Sequence, residues 1–147
     1  MSANDVAIRP AKADDEGAVV ALWKACELTV PYNDPAADFR TARAKFNSDV
    51  LVGRDDSNEI VGSVMVGHDG HRGWVYYVAA HPKRRGQGIG SAMMRAAEDW
   101  LRDRKIAKVQ LMIRETNTQV AEFYARSGYE AIPRVVMQKW LTQGRQS

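Results

Sequence analysis

Arg85, Gly88 and Gly90 stand at fixed spacing in the stretch Arg85-Gly86-Gln87-Gly88-Ile89-Gly90-Ser91. The chemistry that suits such a stretch is the holding of a phosphate group by backbone N–H donors. Glycine lets the chain bend close to a ligand without a Cβ in the way. The first N–H groups of a following helix have no partner inside the helix and attract an anion. Lys83, Arg84 and Arg85 add positive charge. Two common phosphate loops fail on spacing. A P-loop needs Lys after its last glycine, whereas Ser91 follows Gly90. The dinucleotide fingerprint needs G-x-G-x-x-G, whereas Gly86, Gly88 and Gly90 read G-x-G-x-G. What remains is Arg-x-x-Gly-x-Gly between a strand and a helix.

The elements that must carry this loop follow from apolar periodicity. Val6 to Arg9 reads as a first strand, stopped by Pro10. Asp14 or Asp15 can cap a helix to about Leu28, with Val19, Leu22, Trp23 and Cys26 on its buried face. Cys26 in that stripe reads as a structural thiol. A loop with Pro31 and Pro35 precedes a second helix from Pro35 to about Phe46. Three strands follow, Val50–Arg54, Ile60–Val66 and Trp74–Ala80, with Asp69-Gly70 as a hairpin signal. Gly62 marks a bulge or a close backbone approach. The near-continuous apolar character of Trp74–Ala80 predicts cover on both faces. Ile89, Ala92, Met93, Ala96, Ala97 and Trp100 make an amphipathic helix ending near Arg104. Lys108–Arg114 is the next strand, parallel to Trp74–Ala80 through a βαβ crossover. Asn117 caps a helix from Thr118 to Ser127, closed by Gly128. Val135–Leu141 alternates and reads as a final strand. The fold class is α/β (α+β): a mixed, mostly antiparallel sheet with one parallel crossover and helices on both faces.

Composition narrows the function classes. A chain of 147 residues suits one domain, 1–147, with a flexible tail at 142–147. One cysteine excludes an intrachain disulfide and fits a reducing compartment. No apolar run reaches the roughly 20 residues of a membrane span, so the expected location is cytoplasmic with no membrane partner. No metal site is expected. The net charge of +3 is met economically by a local anion site, and a nucleic-acid-binding domain has only Lys83–Arg85 in its support.

Arg85-Gly86-Gln87-Gly88-Ile89-Gly90 resembles motif A, Q/R-x-x-G-x-G/A, of the GNAT superfamily, the Gcn5-related N-acetyltransferases. A second block is similar to that family's motif B: Asn117, then Phe123-Tyr124, then Ser127-Gly128-Tyr129. The resemblance covers nearly the whole chain, since the element order is also the family's. Tyr32-Asn33-Asp34-Pro35 and Asp69-Gly70-His71-Arg72-Gly73 further resemble a small bacterial, single-domain subgroup.

The resemblance implies an acetyl-CoA site. Backbone N–H groups across Arg85, Gly86, Gln87, Gly88, Ile89, Gly90 and Ser91 would hold the pyrophosphate. Val78, Ala79 and Ala80 would line the pantetheine arm, with the main chain of Val78 and Ala80 pairing to it. Lys83 or Arg84 could approach the 3′-phosphate, and Asn117 could contact the cofactor. Tyr124 occupies the general-acid position, where its phenol would protonate the departing sulfur. A backbone N–H near Val78 or Ala80 would be the oxyanion donor. The implied activity is acetyl transfer to a primary amine (a protein N-terminus, a lysine or a small amine) by direct attack in a ternary complex.

The general base stays open. Members often carry a Glu on the strand before motif A, but Trp74-Val75-Tyr76-Tyr77 holds no carboxylate. Candidates are His71, Tyr76 or Tyr77 through a water, Glu115, or no single base. Tyr32, Asn33 and Asp34 are the candidates for contacting the acceptor, with Asp34 either attracting a cationic amine or simply starting the second helix. A non-catalytic CoA-binding sensor is the alternative reading, and a homodimer is an open expectation.

Overall fold

A computed structural model describes residues 6–142. They fall into two compact units that divide after Leu111. The first unit carries β1 (Ala7–Pro10), α1 (Glu16–Ala25), α2 (Pro35–Ala42), β2 (Ser48–Arg54), β3 (Ile60–His68), β4 (Gly73–Ala80), α3 (Ile89–Asp103) and β5 (Val109–Gln110). The strands form one sheet in the order β1-β2-β3-β4-β5. The first four are antiparallel neighbours, and β5 runs parallel to β4. The meander and the parallel crossover are those expected from sequence.

Helices cover both faces of this sheet. Val19, Leu22 and Trp23 of α1 and Phe39 and Ala42 of α2 bury against Val50, Val52 and Ala79. On the other face lies α3, whose buried stripe runs Ile89, Ala92, Met93, Met94, Ala97, Trp100 and Leu101. Glycines let α3 sit close. A Cβ on Gly62 would lie 2.6 Å from Ile89 Cγ2, and one on Gly73 would lie 2.5 Å from Leu101 Cδ1. The expected special role of Gly62 is therefore a close approach of the strand to α3.

The β3–β4 ladder slips once. Met65 pairs with Tyr76 and Ser63 with Ala79, so Tyr77 and Val78 together face Val64 alone. This is a β-bulge, and Tyr77 takes a left-handed conformation in it (φ 52°). A one-residue slip exchanges the faces of every later side chain. Ahead of the bulge, Gly73 faces α3; beyond it, Ala79 packs with α1 and α2, and Tyr77 packs there too. The apolar run Trp74–Ala80 thus reflects a change of face in mid-strand. It does not have full cover on both sides, since Tyr76 is 44% exposed.

Several elements differ from expectation. The first helix ends at Ala25 rather than near Leu28, where Glu27 turns left-handed (φ 59°), and Pro10 lies inside β1 rather than after it. The second helix ends at Ala42 because Arg43 is extended and Ala44 has φ 56°, which leaves Phe46 exposed. The expected strand Lys108–Arg114 keeps only Val109–Gln110 in the ladder. In the second unit, α4 (Thr118–Arg126) forms as expected, with Gly128 at φ 93° beyond its end. Val135–Leu141, however, forms no strand: Val135, Met137 and Leu141 are largely exposed. An alternating pattern fits a pleated, half-buried surface, but it becomes a strand only with a neighbouring ladder. Most of the expected tail, residues 143–147, lies outside the described residues.

Candidate active site

The strand edge and the loop after it are continuous in the first unit. Pairing of β4 with β5 ends at Trp74 and Gln110. From Val75 to Ala80 the outer edge of β4 therefore has no strand paired to it among the described residues. His81 N–H donates to Val61 O at 2.8 Å. By the alternation of an antiparallel ladder, the peptide groups of Ala79 also face β3, while those of Val78 and Ala80 face the open edge. Ala79, buried and turned inward, does not share that edge. One of the edge groups is occupied: the Cys26 thiol donates to Ala80 O at 3.2 Å. Cys26 is partly buried, and that burial pushes its thiol pKa up, with Arg85 and the bond to Ala80 O acting the other way.

His81 and Pro82 turn the chain out of β4. His81 Nδ1 accepts from Lys83 N–H at 3.1 Å, so this imidazole belongs to the turn. Gly86 (φ 80°) and Gly88 (φ 76°) are both left-handed, conformations that would strain any residue with a Cβ. Gly88 is the N-cap of α3. The first helical bond runs from Ala92 N–H to Gly88 O at 3.0 Å, which leaves the N–H groups of Ile89, Gly90 and Ser91 without helical partners. Arg84 is committed elsewhere: it pairs with Asp55 at 3.0 Å and donates to Gln87 Oε1 at 3.1 Å. Lys83 and Arg85 are the exposed cations of this turn. Left-handed glycines, free helix-end donors and two exposed cations are a donor set that fits a pyrophosphate.

The kink at Tyr77 is held from three sides. Its ring stacks on Trp23 with centroids 3.9 Å apart and planes 12° from parallel. Trp23 Nε1 donates to Ser63 Oγ at 2.9 Å, and Ser63 Oγ donates to the Tyr77 carbonyl at 3.1 Å. The Tyr77 hydroxyl donates to Asp38 Oδ2 at 2.7 Å. Burial first, and then the Asp38 carboxylate, push the Tyr77 phenol well above its ordinary pKa. A left-handed non-glycine residue costs about 1–3 kcal/mol and persists only where its surroundings over-determine it.

The other expected site residues are spread more widely. His71 sits in the exposed β3–β4 turn with Nε2 3.0 Å from Arg72 Nη2. That is the opposite end of β4 from the glycine turn, roughly 20 Å of strand away, too far for a base acting at Val78. Asn33 and Asp34 line an open groove with Val20, Lys24 and Val30, about 430 Å³ in volume. Asp34 also caps α2, accepting from Ala37 N–H at 3.2 Å. Tyr32 lies in the same loop, partly buried. In the second unit, Asn117 caps α4, accepting from Val120 N–H at 3.3 Å. Tyr124 is buried between Phe123 and Tyr129, and burial raises its phenol pKa. Glu115 is exposed. Sequence reasoning missed Asp38 and Ser63. Their roles depend on the bulge, and no local signal announces it except the left-handed residue itself.

Known proteins share this fold. The family model described as Acetyltransferase (GNAT) family matches residues 18–129, across both units. An acetyltransferase of Pectobacterium atrosepticum is 39% identical over 139 residues, which is 95% of this chain and 98% of that protein. Among solved structures, AAC(6′)-Iy in complex with a CoA-containing bisubstrate analogue superposes with a TM-score of 0.78 at 14% identity, over 93% of this chain and 99% of that one. A ribosomal-protein-alanine N-acetyltransferase of Brucella melitensis superposes with a TM-score of 0.73 at 19% identity, over 92% and 99%. The two structures share the fold; the family model and the Pectobacterium relative go further. The chain belongs to the GNAT family of acetyltransferases.

Proposed function

We propose that the protein is an acetyl-CoA-dependent N-acetyltransferase, cytoplasmic and bacterial, which moves an acetyl group to a primary amine by direct attack in a ternary complex. Both units belong to one catalytic domain in this reading, as the family match across their division supports. One observation carries it: the unpaired edge of β4 runs straight into the left-handed glycine turn at the N-terminus of α3. An extended arm can pair with Val78 and Ala80, and a pyrophosphate can follow onto the donors of Gly88 to Ser91. Holding both substrates together is itself worth several kcal/mol of the barrier.

The residues then divide the work. Val78 N–H or Ala80 N–H faces the oxygen on which negative charge builds, and such a donor is worth about 3 kcal/mol. Arg85 and Lys83 supply long-range attraction to the phosphates. Tyr124, kept protonated by burial, gives its proton to the departing sulfur. Asn117 contributes to the cofactor side as well as capping α4.

The test is release of free thiol from acetyl-CoA with spermidine, a lysine peptide with a free N-terminus, and kanamycin as acceptors. Intersecting initial-rate lines are expected for a ternary complex. Tyr124→Phe should lower kcat by about 10²-fold with acetyl-CoA affinity nearly unchanged. Tight acetyl-CoA binding without turnover on any amine would favour the sensor instead.

A further inference from the structure

Asp38 lies in the first turn of α2, four residues beyond the capping Asp34. Its carboxylate makes one side-chain hydrogen bond among the described residues, Oδ2 from the Tyr77 hydroxyl. Tyr77 cannot drift, because Trp23 stacks on its ring and Ser63 holds its carbonyl. The carboxylate is therefore fixed over the bulge of β4. Val78 follows Tyr77 in the chain and turns its peptide groups to the open edge. Asp38 also stands on the α1 and α2 face of the sheet, in the first turn of the helix that Asp34, a groove residue, caps. Acetyl transfer to an amine needs a proton acceptor here, and Trp74–Tyr77 bring no carboxylate of their own.

We infer that Asp38 is the carboxylate that receives the cationic acceptor amine and takes its proton, with Tyr77 as the positioning residue. The inference rests on the acetyl-transfer reading. An aliphatic ammonium docks on the second carboxylate oxygen of Asp38 and gives that oxygen one proton. The lone pair so freed forms the N–C bond as the C–S bond breaks, and the C–S electron pair goes to sulfur, which takes a proton from Tyr124. Of the ammonium's three protons, one stays on the amide, one passes through Asp38 to solvent, and one returns through solvent to Tyr124. The charged groups of the elements packed here are Asp34 from the start of α2, which with Asp38 bears on the Tyr77 phenol, Lys24 from α1, which lines the groove with Asp34, and the Arg40–Glu16 ion pair (2.8 Å) between α2 and α1. Tyr77, from β4, is kept neutral, so it orients Asp38 without competing for the proton.

The experiment assays Asp38→Asn, Asp38→Glu and Tyr77→Phe by thiol release across about pH 6 to 10, with the best of the three amines above. Acetyl-CoA affinity is measured on the same preparations by calorimetry. Asp38→Asn should bind acetyl-CoA within about twofold of wild type, yet lose about 10²-fold or more in kcat/KM for the amine. Tyr77→Phe should lose about tenfold, and combining it with Asp38→Asn should add nothing further, as for residues acting as a unit. Should Asp38→Asn fail to fold, Asp38→Glu decides: a loss of about tenfold in kcat/KM with acetyl-CoA affinity unchanged supports the assignment, and a wild-type rate overturns it. Asp38→Asn turning over within about threefold of wild type overturns it as well. Wild-type protein that turns over none of the amines removes the acetyl-transfer reading and this assignment with it, a result distinct from loss in Asp38→Asn alone.

Discussion

Gly88 carries two demands at once, and each excludes a larger residue. Its φ of 76° is left-handed, and its N–H stands at the head of the free donors of α3. Gly88→Glu would add backbone strain of about 1 kcal/mol or more and place a carboxylate among groups that attract anions. Acetyl-CoA affinity should fall at least 10²-fold by calorimetry, with the fold retained by circular dichroism; unchanged affinity would separate this turn from CoA. The left-handed turn at Gly88 and the helix cap at Asn117 were legible in the sequence because each belongs to a short motif whose spacing is local. Arg84 was only half legible: its charge was plain, but its pairing with Asp55 on the far side of two turns was not. Asp38 was not legible at all. Thirty-nine residues separate it from Tyr77, and simple alternation from Gly73 would put Tyr77 under α3.

The bulge in β4 is the element that turns a plain meander into a site. It sends Tyr77 to the α1 and α2 face, while the edge beyond it stays open for Val78 and Ala80. The close seat of α3 completes the arrangement, since Ile89 both touches Gly62 and forms the first turn of the helix. Gly62→Ala would bring a Cβ to 2.6 Å from Ile89 Cγ2 and 3.2 Å from Met93 Cγ. Such overpacking costs about 1–3 kcal/mol. The urea midpoint should fall accordingly, and acetyl-CoA affinity should weaken in parallel because the displaced turn carries the donors; a lowered midpoint with unchanged affinity would uncouple the two. The order of strands and helices from β1 to α4 followed from periodicity, capping residues and hairpin signals, all of which are local. The end of α2 did not, because only the backbone of Arg43 and Ala44 stops it, and neither is a glycine or proline. Val135–Leu141 shows the limit from the other side: alternation alone supplied no ladder.

Across the molecule, acid stability and ligand binding draw on different charges. Asp15 is held below the ordinary carboxylate range first by its hydrogen bond to Arg9 (2.7 Å) and further by Lys12 N–H. Its folded pKa is depressed, so its contribution is complete above the unfolded value of about 3.9. It is lost as pH falls through the folded value. Asp55 and Asp69 shift in the same direction, each first through backbone N–H donors. Asp15→Asn should therefore lower the urea midpoint near neutral pH and leave it almost unchanged at about pH 2. An equal loss at both pH values would show that the pair acts through packing instead. None of these carboxylates is given a part in catalysis, so turnover in Asp15→Asn should stay at the wild-type level at neutral pH. The central claim is that one continuous edge, from Val78 through the glycine turn to the N-terminus of α3, receives acetyl-CoA. A crystal structure of the CoA complex measures this directly. The account predicts pyrophosphate oxygens at about 2.7–3.2 Å from N–H groups between Gly88 and Ser91, with the pantetheine arm paired to Val78 and Ala80. CoA bound away from the β4 edge, or held only by the side chains of Lys83 and Arg85, would contradict it.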